Sequence, residues 1–417
     1  MKQLDAGVCA PQGFRAAGLW CGIRKKNDKR DLALIVSDRD CIAAGMYTTN
    51  RVKAASVLVT QEHLSQGHAR AIVCNSGNAN ACTGSEGLLV ARQMAQAVAE
   101  ALGIRAEAVA VASTGVIGVP LPVEKVRAAM PTLVASLSPD AQGHSAALEA
   151  IMTTDTRKKE IAVELEIHGT AVRIGAMAKG AGMIHPNMAT MLGFITTDAA
   201  ISAGLLDTAL RQAVRRSFNR VTVDGDTSTN DTVLVLANGA AGNTPLTQAD
   251  GEYQKFVRAL EEVCVHLAKG IAQDGEGASR LIACTVRGAE SEAVAEGLAK
   301  AVVGSSLVKA ACFGADANWG RILCALGYSG FPFNPETVDV RFASSAGEVV
   351  VCRQGASVSF SEELAKRVLS EPSIEILIDM GKSVEANPDG PTNLASATCW
   401  GCDLTYEYVK INGDYRS

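Results

Sequence analysis

Short apolar runs alternate along the chain with segments in which apolar residues recur at helical spacing, and this pattern predicts mixed α/β layers. Residues 31–37 (DLALIVS) and 69–74 (ARAIVC) have the continuous apolar character of buried strands. Residues 87–102 place apolar side chains three or four positions apart, which predicts a helix. Thr83 and Glu86 stand just before it at the spacing of a capping box.

The remaining sequence continues the same alternation. Residues 159–180 (KEIAVELEIHGTAVRIGAMAKG) have the alternation of a hairpin, with the turn predicted at His168 and Gly169. A strand pair is expected on either side of the polar loop at 224–231 (DGDTSTND). Further helices are expected at 122–137, 202–218, 252–272, 318–326 and 361–369, with a second hairpin at 338–352 and a strand at 373–379. No repeat or low-complexity linker separates the halves, so we expect them to share one core.

Charge and hydropathy argue against two classes of partner. The 39 basic and 44 acidic residues give a net charge of −5, whereas nucleic-acid binding needs a concentrated basic surface. The one basic cluster, RKKNDKR at 24–30, is interrupted by Asn27 and Asp28 and is interpreted as a solvated loop. The longest weakly polar stretch, 108–123, is broken by glycines and a proline and is too short to span a membrane. We therefore expect neither a nucleic acid nor a membrane as partner.

The cysteines and acidic residues give no strong metal signal. The N-terminal sequence MKQLDAGVCAPQGF lacks the apolar core of a signal peptide, so a cytoplasmic location with reduced cysteines is expected. Cys399 and Cys402 resemble half of a zinc or redox motif, but no second pair follows at zinc-finger spacing. The loop at 224–231 lacks the closing glutamate of a calcium loop and is interpreted as a side-chain-bonded turn near the active centre. No metal and no tightly bound cofactor are expected.

Candidate chemistry centres on the stretch KGAGMIHPNMATMLGFITTDA at 179–199. The chain contains no HExxH, GxSxG or Walker motif, and it has only six histidines. A threonine can act as a nucleophile without histidine when its own α-amine, with a reference pKa of about 8, serves as the base. Thr190 would gain that amine only if the chain broke between Ala189 and Thr190. From the pattern alone, Thr190 is more simply a β-branched residue of a strand.

Seven separated motifs help to decide whether Thr190 is a nucleophile or an ordinary strand residue. In order and spacing they resemble the ornithine acetyltransferase family of arginine biosynthesis over nearly the whole chain. The motifs are NSGNANACTG (75–84), VASTGVIG (111–118), TTDT (153–156), KGAGMIHPNMATMLGFITTDA (179–199), VDGDTSTNDT (223–232), DGEGA (274–278) and DLTYEYVKINGDYRS (403–417).

The resemblance implies a fold, a processing step and a reaction. The fold would be an α/β layered sandwich with central sheets flanked by helices. The precursor would cleave itself before Thr190 into an α chain, 1–189, and a β chain, 190–417, which assemble as an α2β2 heterotetramer. Thr190 would then carry acetyl from N2-acetyl-L-ornithine to L-glutamate in a ping-pong reaction. Many members of the family also accept acetyl-CoA, and no motif decides whether this chain does.

The resemblance also assigns individual residues. Thr114 and Gly115 match an oxyanion-stabilising pair. The alternative is a purely structural role as a turn at the end of a strand. The matching substrate-binding positions are Thr153, Lys179, Thr190, Glu276, Asn412 and Ser417. A cation such as Lys179 would lower the pKa of a nearby amine, although a solvated lysine at a hairpin end has the same pattern. The Glu276 carboxylate suits an amino-acid ammonium group, although it is also ordinary as a surface acid. Thr153 could equally be a helix cap.

Two other functions remain open at this stage. A self-processing amidase or aminopeptidase would use the same threonine and pass the acyl group to water. A metabolite-binding protein without catalysis would keep an intact chain.

Overall fold

The computed structural model describes residues 1–25, 29–185, 191–381 and 395–414. Within this part of the chain, two compact units are distinguished. The first comprises the described residues of 1–219 with 226–267, and the second comprises those of 220–225 with 268–414. Each unit has hydrophobic clusters of its own, so the expectation of one shared core is wrong. The sequence pattern shows which residues are buried, but it does not show which sheet they pack against.

Sixteen strands and eleven α-helices are found in the described residues. The strands are β1 (Lys2–Leu4), β2 (Phe14–Leu19), β3 (Leu32–Tyr47), β4 (His68–Asn78), β5 (Val109–Val116), β6 (Lys159–Ile167), β7 (Thr170–Lys179), β8 (Leu192–Thr197), β9 (Val221–Thr222), β10 (Thr232–Ala237), β11 (Leu281–Ala289), β12 (Asp339–Ser344), β13 (Gly347–Arg353), β14 (Ala356–Ser357), β15 (Ser373–Asp379) and β16 (Ala395–Cys402). The helices are α1 (Ala55–His63), α2 (Gly84–Leu102), α3 (Val123–Ala135), α4 (Ala141–Ile151), α5 (Ala203–Arg216), α6 (Gly251–Gln273), α7 (Glu292–Gly304), α8 (Ser306–Phe313), α9 (Trp319–Gly327), α10 (Glu362–Leu369) and α11 (Tyr406–Asp414).

The first unit is built on a nine-stranded mixed sheet. Eight of the strands have the order β1-β6-β7-β8-β10-β3-β4-β5. The ninth, β2, lies outside this order and pairs with β3. Both faces of the sheet are covered. In β3, Leu32 and Leu34 pack with residues of α2 and α3, while Ala33 and Ile35 pack with residues of α4 on the opposite face. Burial on both faces explains why β3 and β4 appear as continuous apolar runs in the sequence.

The second unit is built on a seven-stranded sheet of order β14-β13-β12-β15-β11-β16-β9. Ile374, Ile376 and Ile378 of β15 point into one hydrophobic cluster, to which α7, α9 and α10 also contribute. On the opposite face of β15 the polar residues Ser373, Glu375 and Asp379 are exposed and Leu377 is half-buried, which is typical of a sheet packed on one face. Cys399 and Cys402 are buried in β16, as expected for structural cysteines, and all twelve cysteines of the chain are free.

The predicted α/β class, with sheets flanked by helices, is confirmed, and so is the hairpin that turns at His168 and Gly169. Two local predictions are wrong. The strands on either side of 224–231 do not pair, because β9 belongs to the second sheet and β10 to the first. Thr83 does not cap α2, since its hydroxyl donates to Asn80 Oδ1 at 2.8 Å. Among the described helices, none is both long and apolar enough to cross a membrane.

Candidate active site

The predicted oxyanion pair lies near the end of β5, where this strand runs parallel to β4. In the ladder Thr114 pairs with Ser76 and Gly115 with Gly77. Gly115 has a φ of +133°, and a Cβ atom there would lie 2.4 Å from the carbonyl carbon of Gly77. Only glycine fits this close approach of two backbones. The pair is therefore more than a turn at a strand end, because the backbone geometry at 115 is enforced by the neighbouring strand.

Lys179 is brought to this pair from the end of β7. Its side chain is buried, with 3% of the residue exposed, and Nζ donates to the Thr114 hydroxyl oxygen at 3.3 Å. The alternative of a solvated lysine is therefore wrong. Lys179 also pairs with Leu192, the first residue of β8, which comes two positions after Thr190 in the sequence. The predicted lysine thus pairs with the start of β8 through its backbone and contacts Thr114 through its side chain.

A buried carboxylate, Asp155, organises the surroundings of Lys179. It accepts hydrogen bonds from the backbone N–H of Thr153 at 2.9 Å and of Gly180 at 2.7 Å, and it pairs with Lys159 Nζ at 2.7 Å. Burial opposes ionisation of Asp155, but the charges of Lys179 and Lys159 outweigh burial and hold its pKa below the usual range. Asp155 is therefore an anion that links the TTDT segment to the end of β7.

The position of Thr153 follows from α4. Asp140 caps the start of this helix by accepting from the backbone N–H of Gln142 and Gly143, and α4 ends at Ile151. The chain leaves the helix at Met152, and Asp155 then fixes the backbone of Thr153. Thr153 is half-buried and stands beyond the C-terminal end of α4. The structure thus joins Thr153, Lys179 and Thr114 through Asp155, a residue to which the sequence assigned no role.

A second buried carboxyl, Asp231, holds the start of β8. Its Oδ1 accepts from the backbone N–H of Met191 at 3.1 Å, and Met191 follows Thr190 directly in the sequence. The other oxygen, Oδ2, is buried, and no group of the described residues donates a hydrogen bond to it. Burial raises the pKa of Asp231 well above its usual value. The loop containing Asp231 is a side-chain-bonded turn, as predicted: the backbone N–H of Asn230, for example, donates to the Ser228 hydroxyl at 3.1 Å.

In the second unit, Glu276 and Asn412 are in direct contact. Asn412 Nδ2 donates to Glu276 Oε2 at 2.9 Å. Gly277 makes the contact possible, because its φ is +70° and a Cβ atom there would lie 2.5 Å from the backbone nitrogen of Tyr408 in α11. Glu276 thus has the Asn412 side chain as a hydrogen-bond partner. Two residues predicted separately, 136 positions apart, are brought together.

Three predicted residues, Ala189, Thr190 and Ser417, lie outside the described residues. Within the described part, no group of three or more histidine, cysteine or acidic side chains is arranged to hold a metal ion.

Comparison with known proteins identifies the family. The profile of the ArgJ family matches residues 15–417. The chain belongs to the ArgJ family. A protein named "Arginine biosynthesis bifunctional protein ArgJ" from Symbiobacterium thermophilum is 54% identical over 418 residues and is covered completely, as is this chain. A protein of the same name from Caldanaerobacter subterraneus subsp. tengcongensis is 50% identical over 417 residues, again with both chains fully covered.

Two crystal structures of ArgJ-related proteins are also similar. The arginine biosynthesis bifunctional protein argJ of Bacillus halodurans is 45% identical, with a TM-score of 0.49 over 54% of this chain and 100% of that chain. Ornithine acetyltransferase of Mycobacterium tuberculosis, in complex with ornithine, is 44% identical, with a TM-score of 0.41 over 44% of this chain and 97% of that chain. The predicted family is confirmed by the whole-length matches, and the chain is an acetyltransferase of arginine biosynthesis that acts on small molecules.

The geometry at Gly115 gives a first prediction. In Gly115→Ala the new Cβ meets the Gly77 backbone in a conformation that alanine rarely adopts. We expect about 2 kcal/mol or more of lost stability and a roughly 10²-fold or larger fall in kcat for acetyl transfer. Gly118→Ala is the matched control, because Gly118 also has a positive φ but no atom lies within 4 Å of its added Cβ. Urea unfolding and steady-state kinetics check this. Equal effects of the two substitutions would contradict it.

Proposed function

We propose that the chain transfers acetyl from N2-acetyl-L-ornithine to L-glutamate through an acetyl-Thr190 intermediate, and that it also takes acetyl from acetyl-CoA. The observation that carries the proposal is similarity over the whole length to relatives named as bifunctional proteins of arginine biosynthesis. The geometry around Thr114 and Lys179 supports it, because a buried cation beside a hydroxyl is suited to a reaction in which negative charge develops.

Thr114 and Gly115 would stabilise the oxyanion of the tetrahedral intermediate. The Thr114 hydroxyl oxygen already accepts from Lys179 Nζ, so its own hydrogen is available to a second acceptor. The backbone of Gly115 is fixed by its contact with Gly77, so a donor there would need little reorganisation during the reaction. Such preorganised donors lower the energy of the transition state more than that of the bound substrate.

Thr190 would act as nucleophile and base once the chain is cleaved after Ala189. Its hydroxyl oxygen attacks the acetyl carbonyl carbon while its α-amine takes the hydroxyl proton. The acetyl C–N bond breaks, the amine passes the proton to the leaving nitrogen, and ornithine departs. The glutamate amine then attacks the acetyl ester, the C–O bond breaks, and the proton returns to the Thr190 oxygen. Lys179 would lower the pKa of the Thr190 amine and keep more of it neutral.

Four further residues are proposed to bind substrate. Glu276, supported by Asn412, would receive an amino-acid ammonium group, because a carboxylate forms charge-assisted hydrogen bonds with it. Thr153 and Ser417 are proposed as additional contacts on the basis of the family motif. We infer no requirement for a metal or a tightly bound cofactor.

Processing, assembly and location complete the proposal. Cleavage before Thr190 gives fragments of 189 and 228 residues (417 − 189 = 228), which are proposed to assemble as α2β2. A cytoplasmic location is proposed because the chain has twelve free cysteines, which suit a reducing compartment.

The reaction assignment is tested by assays with each donor. Incubation with acetylornithine and glutamate, or with acetyl-CoA and glutamate, is expected to give N-acetylglutamate, measured by chromatography. Without glutamate, the acetylornithine reaction should stop at about one acetyl group per enzyme, because the intermediate waits for its acceptor. Continuous release of free acetate would instead identify an amidase. No acetyl transfer from either donor would contradict the proposal.

A further inference from the structure

A basic loop lies against the segments that carry Thr114 and Thr153. We define it by its described cationic residues, Arg24, Lys25, Lys29 and Arg30. Arg24 donates from Nη2 to the Ser76 hydroxyl at 2.9 Å, and Ser76 pairs with Thr114 in the β4–β5 ladder. Lys29 Nζ donates to the Thr153 carbonyl at 3.4 Å. The basic loop is therefore adjacent to the candidate active site.

The interpretation of the cluster as a solvated loop holds only for part of it. Arg24 is half-buried and also donates to the Met152 carbonyl, whereas Lys25 and Lys29 are exposed. Asp31, buried beneath the loop, fixes its shape by accepting from the backbone N–H of Cys21 at 2.6 Å and of Arg24 at 2.9 Å. The ammonium groups of Lys25 and Lys29 are thus exposed beside the candidate site, and the backbone is anchored at Arg24, next to Lys25.

A cavity of about 600 Å³ lies next to the loop, and its lining includes Trp20, Lys29, Arg30 and Met152. The indole of Trp20 is 44% exposed, yet its position is fixed because Nε1–H donates to the Arg24 carbonyl at 3.2 Å. Aromatic rings held beside cations are typical of sites that stack a nucleobase and bind its phosphates. The cavity thus has an exposed aromatic ring and cationic side chains in its lining.

The carboxylate in the cavity does not cancel this positive charge. Glu149 pairs with Arg30 at 2.8 Å and with Lys158 at 2.7 Å. Burial opposes its ionisation, but Lys158 and Arg30 lower its pKa, so it remains an anion neutralised by two cations. Within the described residues, Lys25 and Lys29 form no ion pair with a carboxylate. The basic loop therefore attracts an anion in a chain whose net charge is −5.

We propose that the basic loop and Trp20 bind the phosphorylated adenosine end of acetyl-CoA. This inference rests on the proposed function. The adenine would stack on Trp20 while Lys25 and Lys29 bind phosphate, and the acetyl end would extend past Met152 and Thr153 toward Thr114. Only one of the two acetyl donors can bind in this way, because acetyl-CoA carries several phosphate groups and acetylornithine carries none. The basic loop thus serves one donor and not the other.

The first test compares the two donors in charge and stacking variants. Lys25→Glu and Trp20→Ala should each lower kcat/KM for acetyl-CoA about tenfold, mainly through KM, and should affect acetylornithine much less. Trp20→Phe should retain most acetyl-CoA activity, because phenylalanine still stacks. Arg105→Glu is the control, since Arg105 is exposed, precedes the opposite end of β5 and forms no described ion pair. Equal losses with both donors, or no loss with either, would overturn the proposal.

The second test uses adenosine 3′,5′-bisphosphate, which has the adenosine and phosphates without an acetyl group. It should inhibit the acetyl-CoA reaction competitively and leave the acetylornithine reaction unchanged. Raised salt should weaken the acetyl-CoA reaction more than the acetylornithine reaction, because it screens the phosphate contacts that only acetyl-CoA makes. If the protein shows no acetyl-CoA activity, the acetyl-CoA part of the proposed function is wrong, and this result does not by itself decide whether the nucleotide site exists. Calorimetric titration then decides the site: binding that Lys25→Glu abolishes supports a nucleotide site, and no binding to the unmodified protein refutes it.

Discussion

Thr190→Ala is expected to remain a single chain of 417 residues and to lose acetyl transfer from both donors by at least about 10³-fold. Alanine has no hydroxyl to attack the preceding carbonyl, so the α-amine that should act as base is never released. It also offers no oxygen to carry the acetyl group. Denaturing mass spectrometry measures the chain length, and N-acetylglutamate formation measures the transfer.

Thr190→Ser is the matched control, because serine keeps the hydroxyl. It should still cleave, and it should retain measurable transfer at a reduced rate. If Thr190→Ala were cleaved normally, another residue would be the processing nucleophile. If an intact Thr190→Ala chain transferred acetyl at the rate of the unmodified protein, no free α-amine at 190 would be needed.

Asp155→Asn should have the second-largest effect. The Asp155 and Lys159 side chains are both almost fully buried, so Asp155→Asn removes the carboxylate with which the buried Lys159 ammonium forms its 2.7 Å ion pair. Breaking a buried pair in this way typically costs about 3–5 kcal/mol. Lys179 also loses a nearby negative charge, so we expect its placement beside Thr114 to loosen and kcat to fall. Urea unfolding and steady-state kinetics measure the two effects. Because the fold lowers the pKa of Asp155, its stabilisation is present at neutral pH and is lost as pH falls through the folded pKa.

The double variant Asp155→Asn with Lys159→Met separates stability from positioning. Removal of both charges leaves no unpaired buried ion from this pair, so much of the stability should return. Activity should not return to the same extent, because Lys179 still lacks the neighbouring carboxylate. Full recovery of kcat together with stability would show that Asp155 only supports the fold.

The sequence predicted local structure well where burial produces a simple periodicity of apolar and polar residues. The hairpin of β6 and β7 followed from the alternation on either side of His168 and Gly169, and β15 from its three isoleucines. The pattern could not predict the division into two cores, since periodicity identifies an inward-facing residue but not its partner sheet. The pattern also could not exclude the capping box at Thr83. The Thr83 hydroxyl donates to Asn80 Oδ1 instead of capping α2, and only the fold positions Asn80 for this contact.

The family motifs supplied most candidate site residues, but not the contacts between them. Lys179 and Thr114 are 65 positions apart and belong to strands that four other strands separate in the sheet order, so no local sequence pattern predicts their contact. Asp155 stood unassigned in the TTDT motif, although its place between two lysines in the fold makes it the hub of the buried network. Glu276 and Asn412 were likewise predicted singly and are hydrogen-bonded.

The central claim is that Thr190, freed by cleavage, carries the acetyl group. The most direct measurement mixes the purified protein with acetylornithine in the absence of glutamate, quenches it in acid, and determines the masses of both fragments. The account predicts one acetyl group on the 228-residue fragment, located by peptide sequencing at Thr190 and removed when glutamate is added. Acetyl located at another residue, or an uncleaved and unlabelled chain that still forms N-acetylglutamate, would contradict it.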